Sequence, residues 1–222
     1  LPDSLAWVKV SGAQWKGDGF YYSRYPTPEQ GKELSTKNEN HQVYYHKAGT
    51  SQDQDVLVYE DPANLQRFHT VFTSEDERYV FLNISDRGKG KDGNALWYFD
   101  SKSNDKKFQP IIKEAGDYDY SFIDEMNGKF LMSTNDGAKN QKIVLVDPLN
   151  PDMKNWKTII PEKPENISGI NSAGGKLFIT YLKDVTSRVY VYDFNGKLER
   201  EVELPTIGTA GGFGGEKTDK SV

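Results

Sequence analysis

The chain has 222 residues, of which 36% are hydrophobic, with 20 glycines, 10 prolines and 13 tyrosines. Its net charge of −5 comes from 28 basic and 33 acidic residues scattered along the chain, so no basic patch exists to hold a phosphate backbone and nucleic acid is not expected as a partner. The absence of cysteine excludes a disulfide framework, a thiolate metal site and a cysteine nucleophile. No signal peptide and no apolar run of membrane-spanning length occurs. A soluble protein is expected, cytoplasmic or periplasmic, with the compartment left open.

In chain order, apolar clusters recur in one local setting. Phe20–Ser23, Val80–Asn83, Phe130–Ser133 and Leu177–Thr180 each follow a turn signal, namely Gly17-Asp18-Gly19, Glu75–Arg78, Asn127-Gly128-Lys129 and Gly174-Gly175-Lys176. Such turns supply the positive φ or local hydrogen bonds that reverse a chain between antiparallel strands. The clusters start at 20, 80, 130 and 177, which are 60, 50 and 47 residues apart. A second series (Val43–His46, Leu96–Asp100, Ile143–Asp147, Val189–Asp193) keeps the same phase. So does a third (Val56–Tyr59, Phe108–Ile112, Trp156–Ile160, Leu198–Leu204). With Val71–Thr73, Ser121–Ile123 and Ser168–Ile170 ahead of the turns, each unit carries four strands.

Four-stranded units at this period predict an all-β fold, a β-propeller, in preference to a sandwich with accidental spacing. One small twisted sheet cannot bury both of its faces, whereas neighbours stacked about an axis bury them in turn. The units expected are 5–60, 68–114, 118–161 and 166–204, with 206–222 opening a further blade. Continuing the first series reaches Val222, which places Gly211–Gly215 in the first strand of that blade with Phe213 facing the core. The chain is accordingly expected to end inside a repeat.

The glycine frame of Gly211-Gly212-Phe213-Gly214-Gly215 imitates a serine-hydrolase nucleophile elbow, yet Phe213 stands where serine would be and no G-x-S-x-G occurs. Ser172, in Asn171-Ser172-Ala173-Gly174-Gly175, falls at a hairpin, and no catalytic residue is assigned. His41 and His46 are five apart and do not form a ligand pair, and no metal or cofactor is expected. The acidic run from Asp117 to Glu125 lacks the glycine and closing glutamate of a calcium loop and reads as a solvated blade edge. Gly88–Gly93 lacks the Gly-Lys-Ser/Thr ending of a phosphate loop. Asn83-Ile84-Ser85 and Asn166-Ile167-Ser168 fit the glycosylation sequon, which has meaning only in a eukaryotic secretory route. Trp7, Trp15, Trp97 and Trp156 could suggest a carbohydrate platform, but aromatics in phase with the repeat are more often blade core.

The stretch Ser11–Pro26, with Trp15 and Phe20-Tyr21-Tyr22-Ser23-Arg24-Tyr25, resembles the propeller of the prolyl oligopeptidase family, as do Val43–Glu60, Ser74–Val80, Leu96–Asp100 and Gly208–Asp219. Leu1-Pro2-Asp3 and Val8–Ser11 lead in, so the likeness runs nearly end to end, and the enlarged loop Arg24–Gln42 explains the first spacing. The resemblance implies a serine endopeptidase acting on short peptides after proline. Its α/β-hydrolase domain would carry the Ser, Asp and His, and a seven-bladed propeller would act as a size filter. About four and a half blades would be present here, with the hydrolase domain and the other blades outside this stretch. The Phe213 segment would be a propeller loop. Loops facing the substrate cavity would supply Val10, Phe68, Ser85, Arg87 and Gly88, where packing between blades is the alternative for Val10 and Phe68. The lysine- and glycine-rich 85–93 stretch departs from the commoner family pattern. Rival readings are a stand-alone binding or scaffold propeller, and the propeller of an oligopeptidase B or dipeptidyl-peptidase relative. Partners implied are proline-containing peptides, the hydrolase domain and, through open terminal blades, further copies of this chain.

Overall fold

The computed structural model describes residues 3–220, and the expected strand start at Val222 lies outside them. Two compact units divide the chain, one up to Asp117 and one from Tyr118 onward. Each holds two four-stranded antiparallel sheets whose strands lie in chain order.

The first unit contains β1 (Gln14–Lys16), β2 (Gly19–Arg24), β3 (Gln42–Lys47) and β4 (Val56–Tyr59), then β5 (Arg67–Thr73), β6 (Tyr79–Asp86), β7 (Asn94–Asp100) and β8 (Gln109–Ile112). Alternation along these strands aims one row of side chains between the sheets. There Tyr21, Val43, Val71, Leu82, Ile84 and Phe99 form a single buried cluster.

The second unit contains β9 (Tyr120–Met126), β10 (Lys129–Thr134), β11 (Lys142–Val146) and β12 (Lys157–Ile160), then β13 (Asn166–Ala173), β14 (Lys176–Lys183), β15 (Thr186–Asp193) and β16 (Leu198–Val202). In β15, Tyr190 and Tyr192 share a face with their cross-strand partners Ile179 and Leu177. That face packs on Leu131, Ile143 and Ile160 of the preceding sheet. The other face carries Val189 and Val191 with Phe178 and Ala173. The β15–β16 turn presses so closely on β12 that a Cβ at Gly196 would fall 2.1 Å from the Ile159 carbonyl oxygen, and its φ of +83° also demands glycine.

One feature repeats in all four sheets without a sequence signal. The pairing of third with fourth strand slips once in each, at Val43/Tyr44, Leu96/Trp97, Ile143/Val144 and Val191/Tyr192. A slip of this kind adds local twist. The fourth strands also carry edge-blunting residues, Pro110 on β8 and Glu199-Arg200-Glu201 on β16.

The segment after β16 corrects one expectation. Gly211–Gly215 forms no strand; it lies as a strap over the face of the last sheet that carries Ala173, Phe178 and Val191. Phe213 stacks on Phe178 with ring centroids 6.0 Å apart and planes 7° from parallel. The strap is tied by Ser187 N–H to the Gly208 carbonyl (2.9 Å), Gly215 N–H to Ser172 O (3.2 Å) and Gly174 N–H to Glu216 O (2.9 Å). Gly212, at φ +85°, provides the turn that a regular strand would forbid. At its end Lys217 Nζ reaches the Asp124 carboxylate at 3.2 Å, so Asp124 is buried and ion-paired instead of standing on a solvated edge. Replacing Phe213 with alanine should cost about 2 kcal/mol by uncovering Phe178 and Val191. Chemical denaturation would measure that loss, and faster hydrogen exchange at Ser187 and Gly174 would place it in the strap.

Candidate functional site

The first unit opens a cleft of about 390 Å³ whose wall includes Val10, Tyr25, Leu65, Phe68 and Arg87. Three of the five residues expected on the substrate side therefore line one surface. The other two do not line it: Ser85 lies opposite Phe68 in the β5–β6 ladder, and Gly88 packs on Gln66. A Cβ at Gly88 would sit 3.2 Å from Gln66 Cβ, tighter than ordinary contact.

The wall at Val10 is a held, strained turn. Val10 has φ +53°, an uncommon conformation for a β-branched residue. Fixation on both sides maintains it: Val8 bridges to Arg24, and Ser11 Oγ accepts the Ser23 N–H at 2.7 Å. His41 grips the Lys9 carbonyl through Nε2 at 3.0 Å.

His41 is itself locked against His69. The His69 backbone N–H donates to His41 Nδ1 (3.0 Å), so the His41 proton resides on Nε2 and serves Lys9. His69 Nδ1–H donates to the His41 carbonyl at 2.5 Å. The His41 ring also meets Phe68 edge-on at 5.5 Å and Tyr25 at 4.9 Å. Burial pushes both imidazoles below their ordinary pKa, against the opposing pull of these hydrogen bonds. Both rings are thus structural supports of the wall. Sequence spacing could not find them, because they face each other across two sheets.

Arg87 is presented by a short 3-10 turn, Arg87–Lys89, that Asp86 caps by accepting the Lys89 N–H at 3.2 Å. The guanidinium lies 4.8 Å from the centre of the Phe68 ring, a cation–π contact. Beneath the turn, Arg67 spends its fork on three carboxylates: Asp86 at 2.9 Å, Asp61 at 3.0 Å and Glu114 at 2.6 Å. This buried cation clamps the end of the β5–β6 pair where Arg67 and Asp86 lie opposite each other.

His46, the third histidine, belongs to a separate network. Its Nδ1 meets Asp55 at 2.7 Å and its Nε2 meets Asp3 at 3.2 Å, while Tyr22 donates to Asp55 at 2.6 Å. Burial opposes the charged ring, but the Asp55 and Asp3 hydrogen bonds outweigh it and raise the pKa. In the second unit, β9 and β13 line a polar cleft of about 500 Å³ with Ser121, Gln141, Ser168, Asn171 and Ser172. Among the described residues no cluster of metal-ligating side chains occurs, and no helix is long and apolar enough to cross a membrane.

Four-stranded antiparallel meanders, recurring in series along the chain, define a β-propeller. The family model of the prolyl oligopeptidase N-terminal β-propeller domain matches residues 1–222, and the chain belongs to that family. It is 39% identical over 223 residues to the prolyl endopeptidase of Elizabethkingia miricola, covering 100% of this chain and 31% of that protein. The prolyl endopeptidase of Dictyostelium discoideum is 30% identical, with 95% of this chain and 30% of that one covered. Among solved structures, a prolyl endopeptidase studied for inter-domain dynamics aligns with TM-score 0.84 and 29% identity over 98% of this chain and 31% of its own. Prolyl oligopeptidase B of Galerina marginata, bound to a 35mer hydrolysis and macrocyclization substrate, gives TM-score 0.84 and 25% identity over 96% of this chain and 30% of its own. The chain spans about a third of the length of the curated relatives it matches.

Two outcomes test the supports. Arg67→Ala should cost about 3 kcal/mol in urea unfolding, because buried Asp86 keeps only the longer Lys89 contact at 3.6 Å and half-buried Asp61 loses its cation. The pH dependence should carry opposite signs for the two histidine networks. His41 and His69 lose stability as pH falls below 6.5 toward their depressed folded values. His46 contributes fully below 6.5 and loses its contribution as pH rises through its raised value. Hence His46→Gln should make the loss of stability between about pH 7.5 and 5.5 steeper than in the parent, read from urea midpoints.

Proposed function

We propose that this chain is the substrate-gating propeller of a serine endopeptidase that cleaves short peptides on the carboxyl side of proline, and that the Val10–Phe68–Arg87 cleft is part of its substrate wall. The observation that carries the reading is the match of the whole chain to the prolyl oligopeptidase propeller family. Relatives of that family at 39% and 38% identity bear the name prolyl endopeptidase. The cleft supports the site assignment: an aromatic ring, a cation stacked on that ring and a strained, doubly held turn meet on one surface. Ser85 and Gly88 act behind it, by placing the strand and the turn that present Phe68 and Arg87.

On this reading the nucleophile, acid and histidine belong to a hydrolase domain that the propeller meets as its partner, and short proline-containing peptides are the substrates. The four sheets act as blades 5–60, 68–114, 118–161 and 166–204, with 206–222 as the approach to a further blade. Copies of the isolated chain associate through the outer faces of the first and last sheets. The strap at Phe213 limits that association at the last sheet.

In the full-length protein, Phe68→Ala and Arg87→Ala should each raise KM for a short prolyl substrate about threefold to tenfold while kcat changes little, since each removes contact energy made in both bound states. The 222-residue chain alone should give no turnover of a chromogenic prolyl peptide. Unchanged KM in both variants would remove the cleft from the substrate wall. Turnover by the chain alone would overturn the division of labour.

A further inference from the structure

The segment ahead of β1 is held to the first sheet by hydrogen bonds that form one closed circuit. Asp3 Oδ1 accepts from two donors at once, His46 Nε2 at 3.2 Å and the Gly49 N–H. Three residues on, Ala6 and Gln52 exchange amide hydrogen bonds. The Ala6 N–H donates to Gln52 Oε1 at 2.9 Å, and Gln52 Nε2 donates to the Ala6 carbonyl at 3.1 Å. Gln52 Nε2 also donates to the Tyr22 hydroxyl at 3.0 Å, which itself donates to Asp55 Oδ2 at 2.6 Å. Asp55 Oδ1 meets His46 Nδ1 at 2.7 Å, and through His46 the circuit returns to Asp3.

His46 is the one member of the circuit that must donate twice. Both of its neighbours are carboxylates, which only accept when ionised. The Gly49 N–H and then the His46 ring hold the Asp3 carboxyl below its usual range. Burial and then the Asp55 hydrogen bond push the Tyr22 phenol up, so Tyr22 keeps its proton and Asp55 accepts it. The circuit therefore closes only on an imidazolium, because a neutral ring carries a single N–H. That N–H stays on Nδ1: the Asp55 contact is the shorter, and both of its side chains are fully buried. Asp3 is 38% exposed and has water to turn to. A lone pair on Nε2 would then face the Asp3 oxygen, and its departure takes the Gly49 bond with it. From β2 the ring meets Phe20 at 5.1 Å. The cations of these strands are engaged elsewhere, Lys47 with Asp18 at 3.0 Å and Arg24 over the Tyr44 ring at 4.3 Å.

We propose that His46 is a proton-operated latch: the doubly protonated ring clasps Asp3 and closes residues 3–5 against the β3–β4 connection, and loss of the Nε2 proton frees them, with the Ala6–Gln52 pair as hinge. Beyond the hinge the segment stays in place. The Trp7 carbonyl accepts the Tyr25 N–H at 3.3 Å and Val8 bridges to Arg24, so the Val10 wall does not move. The latch is closed on the acid side. Burial opposes the charged ring, but the Asp55 and Asp3 hydrogen bonds outweigh it and lift the pKa above 6.5, so opening comes as pH rises through that raised value.

The test is an NMR titration of this chain between about pH 5.5 and 9. It follows the His46 ring nitrogens, the Asp3 carboxyl carbon and the hydrogen-exchange protection of Gly49, corrected for the intrinsic pH dependence of exchange. The ring should titrate above 6.5 and lose its proton from Nε2. The Asp3 carboxyl shift should move at the same midpoint. Gly49 protection should fall about tenfold across it, while protection of Tyr25 holds. Asp3→Asn, at a partly exposed position, should keep the fold, lower the ring's pKa and remove the Gly49 step. The proposal is overturned by Gly49 protection that ignores the ring's titration, by a step that persists in Asp3→Asn, or by loss of the proton from Nδ1 first. Protection lost at Tyr25 in step with Gly49 would also overturn it, because the whole sheet would then be loosening.

Discussion

A four-stranded antiparallel sheet built from strictly alternating apolar residues has two faces to hide and cannot hide either by itself. In β15, Tyr190 and Tyr192 point one way while Val189 and Val191 point the other, and each row needs its own cover. The sheet of β9–β12 covers the first row. The second is covered by Val202, Ala210 and Phe213, which come from the end of the sheet and the strap. Most of what positions the clefts follows from this demand, since close sheet packing brings the ends of first strands together at one surface.

The candidate surface depends on a second layer of constraint beneath it. Neutral imidazoles at His41 and His69 exchange hydrogen bonds with each other's backbone and hold the Lys9 carbonyl, which sustains an unfavourable turn at Val10. Arg67 does the same for the Arg87 turn through Asp86. Function at such a site would lie with exposed groups, but their geometry is decided by buried polar residues whose own partners are all within the first unit.

The strands were legible because their clusters kept one phase over four repeats, so that Phe20, Val80, Phe130 and Leu177 could be aligned with no structural information. The family resemblance was legible in the run from Trp15 to Glu60 for the same reason, local order without long-range ambiguity. Features that depend on contacts between distant segments were not. The Gly211–Gly215 segment has the spacing of a strand, yet Phe213 lies flat on Phe178 and the segment joins no ladder. The recurrent slip between third and fourth strands leaves no mark in composition, and neither does the left-handed conformation of Val10. Cleft residues on matching motifs could be named individually; their company, including Tyr25 and Leu65, required the fold.

The strap has a mechanical side. It leaves β16, crosses the β13–β14 turn and is anchored to β9 through Lys217 and Asp124. A pull applied at Lys220 would therefore not peel β16 from its edge. The load would pass first to the Lys217 ion pair and to β9, the opening strand of the second unit, placing its sequence ends under tension together. Unravelling from that side would begin with the breaking of a salt bridge, and only afterwards would the last strand feel the force.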